Sequence, residues 1–192
     1  MDVPSVKGVL VRSALERVQS YLTSGRLARE QLELRLEPED LALFEKDLVV
    51  NGLWYPATLF ERLLDLIYQV EGRRFEGLID FGRSAAESLL GASAFSGIFD
   101  ATARRGSHES GGPLLMKLAQ LMLNFTRWKY VGVSADEFCV EVSEAADYHE
   151  HARYIAQGLI GFFGSRLFET PLHMTSERPS RDRIVFRGTR AG

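Results

Sequence analysis

The chain has 192 residues, a usual length for one domain with its own core. Its 45% hydrophobic and 26% charged residues exclude a disordered protein, and a formal net charge of −3 gives no electrostatic reason to bind nucleic acid. The single cysteine, Cys139, excludes an internal disulfide, and no apolar run approaches the roughly 20 residues that span a bilayer. The N-terminus lacks the apolar core of a signal peptide, so we expect a cytoplasmic location without a membrane span.

Apolar residues recur at three- and four-residue steps through the first two thirds of the chain, which predicts helices. The strongest pattern follows Pro56 and ends at Gly72, and a second strong one covers 75–90. Weaker patterns predict helices over 9–22, 27–36, from Pro38 onward, 93–103 and 113–125. The glycine-rich, charged segment 104–112 is predicted to be a loop.

After Trp128 the period changes to that of strands. Strands are predicted at 129–133, 138–142, 172–177 and 183–187, with a helix over 148–168 between the two pairs. This β-β-α-β-β order predicts an α+β fold, in which an N-terminal helical bundle packs with a small antiparallel sheet and one long glycine-bearing helix. We expect a single domain over 1–192, with a helical part at about 6–127 and an α/β part at about 128–188.

Two features are candidates for binding a ligand or a partner. Trp54 and Tyr55 stand before the rigid start of the strongest helix; they either anchor that helix in the core or line a pocket or partner surface. Gly158, Gly161 and Gly164 leave one helix face without side chains, next to Phe162. That face suits close packing on the sheet, a dimer contact or a bound ligand.

The histidines and the cysteine give no clear catalytic or metal site. His149 and His151 point roughly 200° apart if both are helical, so they share one metal only if a strand or loop lies there. A solvated acidic helix start is the simpler interpretation. His108 falls in the predicted loop, and His173 is predicted to lie on an exposed strand. Cys139 is predicted to lie on the strand face opposite Phe138, and a free cysteine is most often a small buried hydrophobic residue. We predict no catalytic residues, no metal and no cofactor.

The segments 149–168 and 170–188, HEHARYIAQGLIGFFGSRLF and TPLHMTSERPSRDRIVFRG, resemble the end of the 4-vinyl-reductase-like small-molecule-binding domain. That domain belongs to one structural group with the TRAPP vesicle-tethering subunits and the haem–nitric-oxide-binding (H-NOX) domains. With VKGVLVRSAL at 6–15, LWYPATLFERLLDLI at 53–67 and LIDFGRSAAESLL at 78–90, the chain also resembles a myxobacterial family of paralogous proteins of unknown function, about 200 residues long.

The resemblance implies a glycine-bearing helix on a twisted antiparallel sheet, with a helical bundle ahead of it. It does not bring a haem, because the Tyr-x-Ser-x-Arg clamp for the propionates of H-NOX domains is missing from this sequence. The paired cysteines of 4-vinyl-reductase-like domains are also missing, and Cys139 matches no acylation motif.

We therefore expect a non-enzymatic sensor or adaptor that binds a small apolar ligand or a protein partner, a second copy of itself included. The alternative is an enzyme that acts on a small hydrophobic or aromatic substrate. It requires the fold to gather a polar cluster from His108, His149, His151 or His173 and acidic neighbours.

Overall fold

The structure, a computed structural model, describes residues 3–91, 108–134 and 136–190, with only the backbone given at 108–111 and 114. The helices are α1 (Gly8–Thr23), α2 (Arg29–Glu33), α3 (Pro38–Glu45), α4 (Ala57–Val70), α5 (Phe75–Gly91), α6 (His108–Met122) and α7 (Glu150–Leu167). The strands are β1 (Ser5–Lys7), β2 (Trp54–Pro56), β3 (Arg127–Gly132), β4 (Glu137–Ser143), β5 (Leu172–Ser180) and β6 (Arg183–Arg190).

The last four strands form one antiparallel sheet in the order β3-β4-β6-β5. Alternate residues of β4 face the core, as the sequence pattern predicts: Phe138, Val140 and Val142 are almost fully buried. Val140 lies opposite Phe186 of β6, and the Trp128 ring stacks on Phe186 with ring centroids 5.9 Å apart. The predicted α+β class and the β-β-α-β-β order are confirmed.

Helix α7 lies between the sheet and the helical part. Two glycines bring its backbone against α5: a Cβ on Gly158 would lie 2.0 Å from the carbonyl oxygen of Ile79, and one on Gly82 would lie 2.1 Å from that of Ile155. No side chain fits at either crossing position, so the two helices touch backbone to backbone.

The opposite face of α7 is fixed to β5 by buried polar side chains. Arg153 donates from Nη1 to the Ser176 carbonyl oxygen at 2.7 Å, and Gln157 donates from Nε2 to the Met174 carbonyl oxygen at 2.9 Å. The Ser176 hydroxyl donates to Gln157 Oε1 at 2.6 Å. Because these groups satisfy one another in the interior, they fix the position of α7 along the strand.

Two details differ from the sequence predictions. Residues 108–112 are helical and belong to α6, so the predicted loop is wrong there; Gly112 packs its bare Cα against the Tyr130 ring, which lies 2.4 Å from where a Cβ would stand. Trp54 and Tyr55 form a short strand, β2, paired with β1, which the sequence did not predict; the helix itself begins at Ala57, directly after Pro56. The predicted helix at 93–103 and the loop residues 104–107 lie outside the described residues.

One cluster of buried side chains continues from α1 through α7 to β6, across the boundary between the helical and α/β parts. The assignment of all of 1–192 to one domain stays a prediction. Within the described ranges, no helix has the length and apolar character to cross a membrane.

Candidate functional site

A partly enclosed apolar cavity of about 120 Å³ lies between α6 and α7, and we call it the central pocket. Its wall combines residues from both parts of the fold. They are Val6, Leu10, Ala57, Phe60, Glu61, Leu89, Leu115, Met116, Leu118, Ala119, Met122, Leu123, Phe125, Trp128, Asp147, Tyr148, His149, Ala152, Ile155, Ala156, Leu159, Ile160 and Phe163.

Helical periodicity explains how α6 and α7 form this wall. On α7 the wall residues follow three- and four-residue steps from Ala152 to Phe163, which places them on one side of the helix. On α6 the same steps lead from Leu115 to Met122. The sequence predicts an inward-facing stripe on the helix over 113–125, and here that stripe encloses space as well as contacting neighbours.

An open groove adjoins the central pocket at its polar end. The two share five wall residues: Ala57, Glu61, Asp147, Tyr148 and His149. The N-terminal segment at Val3 and Pro4 forms part of the groove's outer wall. A molecule that enters the central pocket through the groove therefore passes two carboxylates and an imidazole.

Behind this entrance, α4 and the start of α7 bring two histidines to one carboxylate. The Asp65 Oδ1 atom lies 2.7 Å from His151 Nδ1 and 3.8 Å from His149 Nε2. His149 has extended backbone geometry and caps α7, with its Nδ1 accepting from the His151 N–H at 3.3 Å. Because His149 precedes the helix, the angular argument against a shared site does not apply, and the interpretation of these residues as only a solvated acidic helix start is incomplete.

Burial and charge both act on the ionisable groups here. Burial raises the pKa of Glu61, the nearby His149 opposes that shift, and the carboxylates of Asp65 and Asp147 reinforce it. Burial lowers the pKa of His151, against the opposing effect of its hydrogen bond to Asp65. At neutral pH this favours a neutral His151 that donates from Nδ1 to Asp65.

The predicted aromatic candidates lie away from the central pocket. Trp54 is 43% exposed, with the Lys7 ammonium 4.0 Å from its ring centroid. Tyr55 is buried, and its hydroxyl oxygen accepts from the Val50 N–H at 2.8 Å. Neither side chain lines the central pocket, and a binding role for either stays a prediction.

The glycine-helix candidates also lie outside the pocket wall. Gly158 contacts α5, and Gly161 faces Met174 of β5, whose side chain lies 2.9 Å from where a Cβ would stand. Phe162 is half-buried between the Phe163 ring and the Arg166 guanidinium. Intramolecular packing thus accounts for both glycines, and a ligand or interface role for the three residues stays a prediction.

The remaining candidates are separate from one another. His108 is the first described residue of α6, and His173 is exposed on β5. Cys139 is buried on the sheet face opposite Phe138, and the Arg187 guanidinium donates to its sulfur at 3.2 Å. Among the histidines whose side chains are described, the fold gathers only His149 and His151.

Asp65 is the site residue that the sequence did not identify. It lies on the strongest predicted helix, where a carboxylate on the polar face carries no special signal. Its partner His151 is 86 positions away in the chain. The sequence shows that Glu61 and Asp65 are one helical turn apart, but only the fold shows that both carboxylates approach the start of α7.

No protein-family model and no curated protein matches the chain. Solved structures do match. An Fe(II) unliganded H-NOX protein from K. algicida aligns with a TM-score of 0.65 at 10% identity, covering 97% of each chain. The Fe(II)NO form of an H-NOX protein from S. oneidensis aligns with a TM-score of 0.60 at 12% identity, covering 97% of this chain and 99% of that one.

The chain has an H-NOX-like fold. The resemblance to that group is thereby confirmed at the level of fold, while membership of the myxobacterial family and the TRAPP likeness stay predictions. At these identities the H-NOX-like fold carries no function with it.

One H-NOX structure was solved to probe haem distortion, so haem is the group to compare with the central pocket. The described residues do not fit it. A cavity of about 120 Å³ is near the size of an engineered cavity of roughly 150 Å³ that holds benzene, far below a porphyrin. No described arginine lines this pocket, and Arg178 in the adjoining groove already bonds the carbonyl oxygens of Ala145 and Tyr148.

Proposed function

We propose that the protein is a non-enzymatic sensor or adaptor domain that binds a compact apolar molecule in the central pocket. The observation that carries this proposal is a largely apolar cavity within a packed core. Protein interiors contain few voids larger than a water molecule. An unfilled cavity of this size costs on the order of 3 kcal/mol, at about 24 cal/mol per Å³. A ligand of one aromatic ring recovers that loss.

The polar end of the pocket restricts the ligand further. Glu61 and Asp147 present carboxylates there, and His149 an imidazole. A ligand with an apolar body and a single hydrogen-bond donor, such as an N–H or O–H group, matches this arrangement because carboxylate oxygens accept.

Toluene and indole are suitable probes, because both are of the right size and only indole carries a donor. At ten times its Kd, a ligand stabilises the folded state by about 1.4 kcal/mol, which raises Tm by roughly 3–6 °C for a domain of this length. Differential scanning fluorimetry measures the shift, and native mass spectrometry detects any molecule retained through purification. No Tm shift with either probe and no retained mass would contradict the proposal.

Ala156→Leu tests the position of the ligand. The larger side chain fills part of the cavity, so we expect a protein about 0.5–2 kcal/mol more stable that no longer responds to toluene. Gln120→Leu is the matched control, since it adds the same side chain to an exposed position of α6 outside the pocket wall. Ala119→Leu repeats the test from α6 if the first variant folds poorly.

A second candidate function is the enzyme, favoured by the hydrogen bond between Asp65 and His151 beside the groove. A carboxylate that orients an imidazole is an arrangement used in general-base catalysis. Turnover of aryl esters or substituted phenols, followed by mass spectrometry of the products and lost in His151→Ala, would support this function over the sensor.

A further inference from the structure

The side chains of Asp65, His149 and His151 are spaced as the ligands of one metal ion. Two ligand atoms on a tetrahedral ion with bonds of about 2.0–2.1 Å lie roughly 3.3 Å apart. The Asp65 carboxylate oxygen is 2.7 Å from His151 Nδ1 and 3.8 Å from His149 Nε2, one value below that spacing and one above it. One nitrogen or oxygen from each of the three residues lies within 4.8 Å of the others. The two separations from the Asp65 oxygen each differ from that spacing by about half an ångström.

The chemical types match a particular class of ion. Imidazole nitrogen suits Zn²⁺, Ni²⁺, Cu²⁺ and Fe²⁺, whereas Mg²⁺ and Ca²⁺ take oxygen ligands. Two histidines and one carboxylate form a three-ligand set that leaves a coordination position for water or another molecule. Coordination through His149 Nε2 requires the proton on Nδ1, so the ion replaces one 3.3 Å capping bond from the His151 N–H.

The surroundings favour a cation and hold the ligands in place. Glu61, one turn before Asp65 on α4, and Asp147 add negative charge beside His149. The His151 ring packs against Tyr68, with ring centroids 4.3 Å apart, and its side chain is 17% exposed. A restrained, largely covered imidazole loses little freedom when it binds an ion.

We propose that Asp65, His149 and His151 form a binding site for a divalent first-row transition-metal ion, with Zn²⁺ as its representative, beside the entrance to the central pocket. His149 belongs to both the metal site and the pocket wall. The open coordination position is therefore next to the route by which an apolar molecule enters. The site uses side chains of the helical part and of the α/β part together.

Cobalt(II) titration of the 192-residue protein, with any affinity tag removed, tests the proposal directly. We expect visible d–d absorption of a low-coordinate ion at one equivalent, bleached by Zn²⁺ in competition, and one zinc per chain by elemental analysis. Wild-type protein that shows no such absorption at millimolar Co²⁺ and no bound zinc would overturn the proposal.

Three variants assign the site. Asp65→Asn, His149→Gln and His151→Gln should each weaken Co²⁺ binding at least tenfold, since even residues outside the ligand set change metal affinity by about 10–100-fold. His173→Gln, an exposed histidine on β5, is the matched control and should bind as wild type does. Far-UV circular dichroism establishes that each variant is folded. Equal binding by all four proteins would place the metal elsewhere and overturn the assignment.

The proposed metal site and the proposed ligand pocket can be tested independently of each other. Ala156→Leu blocks the pocket while leaving every metal ligand in place, so it should bind Co²⁺ normally even if the toluene response is lost. His151→Gln lies outside the pocket wall and should keep the toluene response. Loss of Co²⁺ binding in Ala156→Leu would contradict the proposed location.

Discussion

Glu71, at the end of α4, shows how single side chains connect distant segments. It accepts a hydrogen bond from the Tyr21 hydroxyl of α1 and pairs with Arg26 at 3.4 Å. Desolvation by itself would raise the pKa of Glu71, but the hydrogen bonds from Tyr21 and Arg26 outweigh it and hold that pKa below its ordinary value. The carboxylate is therefore the form that stabilises the fold.

The sign of the resulting pH dependence follows from linkage. Below the ordinary glutamate pKa of about 4.3, the unfolded chain binds a proton more readily than the native Glu71 does, so stability falls as pH decreases. We expect Glu71→Gln to lose about 1 kcal/mol near pH 7 and to approach wild-type stability near pH 3. Urea unfolding at a series of pH values measures this. Glu87→Gln, at an exposed position of α5, is the control, and an identical pH profile for the two variants would contradict the argument.

At the scale of elements, the crossing of α5 and α7 depends on two glycines. In Gly158→Ala the new methyl group meets the Ile79 carbonyl oxygen of the facing backbone, which has no alternative rotamer. We expect a loss of about 3 kcal/mol in the free energy of unfolding, despite a gain in helix propensity of roughly 1 kcal/mol.

Gly91→Ala is the matched control for that substitution. It is the last described residue of α5, and no atom of the described residues lies within 4 Å of the added Cβ, so it should be neutral or slightly stabilising in denaturant unfolding. A Gly158→Ala protein as stable as Gly91→Ala would show that α5 and α7 can separate without cost.

The sequence allowed the long elements to be predicted because each carries its own periodicity. Residues 57–70 and 150–167 repeat apolar positions over several turns, and β4 alternates over a whole strand. Strands β1 and β2 have three residues each, too few for a pattern to emerge. Residues 108–112 are predicted to be a loop because of their glycines and charges, whereas they belong to α6, where Gly112 packs against the Tyr130 ring.

The candidate site was less accessible to prediction for a related reason. Leu118, Ala119 and Met122 carry the same inward stripe whether the space in front of them is filled or empty. Asp65 and His151 are far apart in the chain, so the sequence gives no sign of their contact. Whether His149 caps the helix or belongs to it depends on the helix boundary to within one residue, which sequence patterns do not resolve. Sequence patterns locate buried faces, whereas cavities and side-chain clusters depend on how those faces meet.

At the scale of the whole molecule, the exposed apolar residues are relevant to the predicted self-association. Leu48, Val50, Leu53 and Trp54 are each at least 43% exposed and follow one another closely up to the first residue of β2. A homodimer through this surface stays a prediction. It implies that Trp54→Ser shifts the mass measured by light scattering toward the monomer at high micromolar concentration.

Leu34→Ser is the control for that measurement, since Leu34 is 84% exposed at another place in the chain. If the wild-type protein is already monomeric at this concentration, the prediction of a homodimer through the Trp54 surface is wrong.

The position of Val3 and Pro4 on the wall of the open groove has a practical consequence. A purification tag fused ahead of them emerges beside Glu61, Asp147 and His149. A polyhistidine tag fused there would bring competing imidazoles close to the proposed metal site. Fusion at the other end of the chain, or complete proteolytic removal, is the sound choice for any binding experiment on this protein.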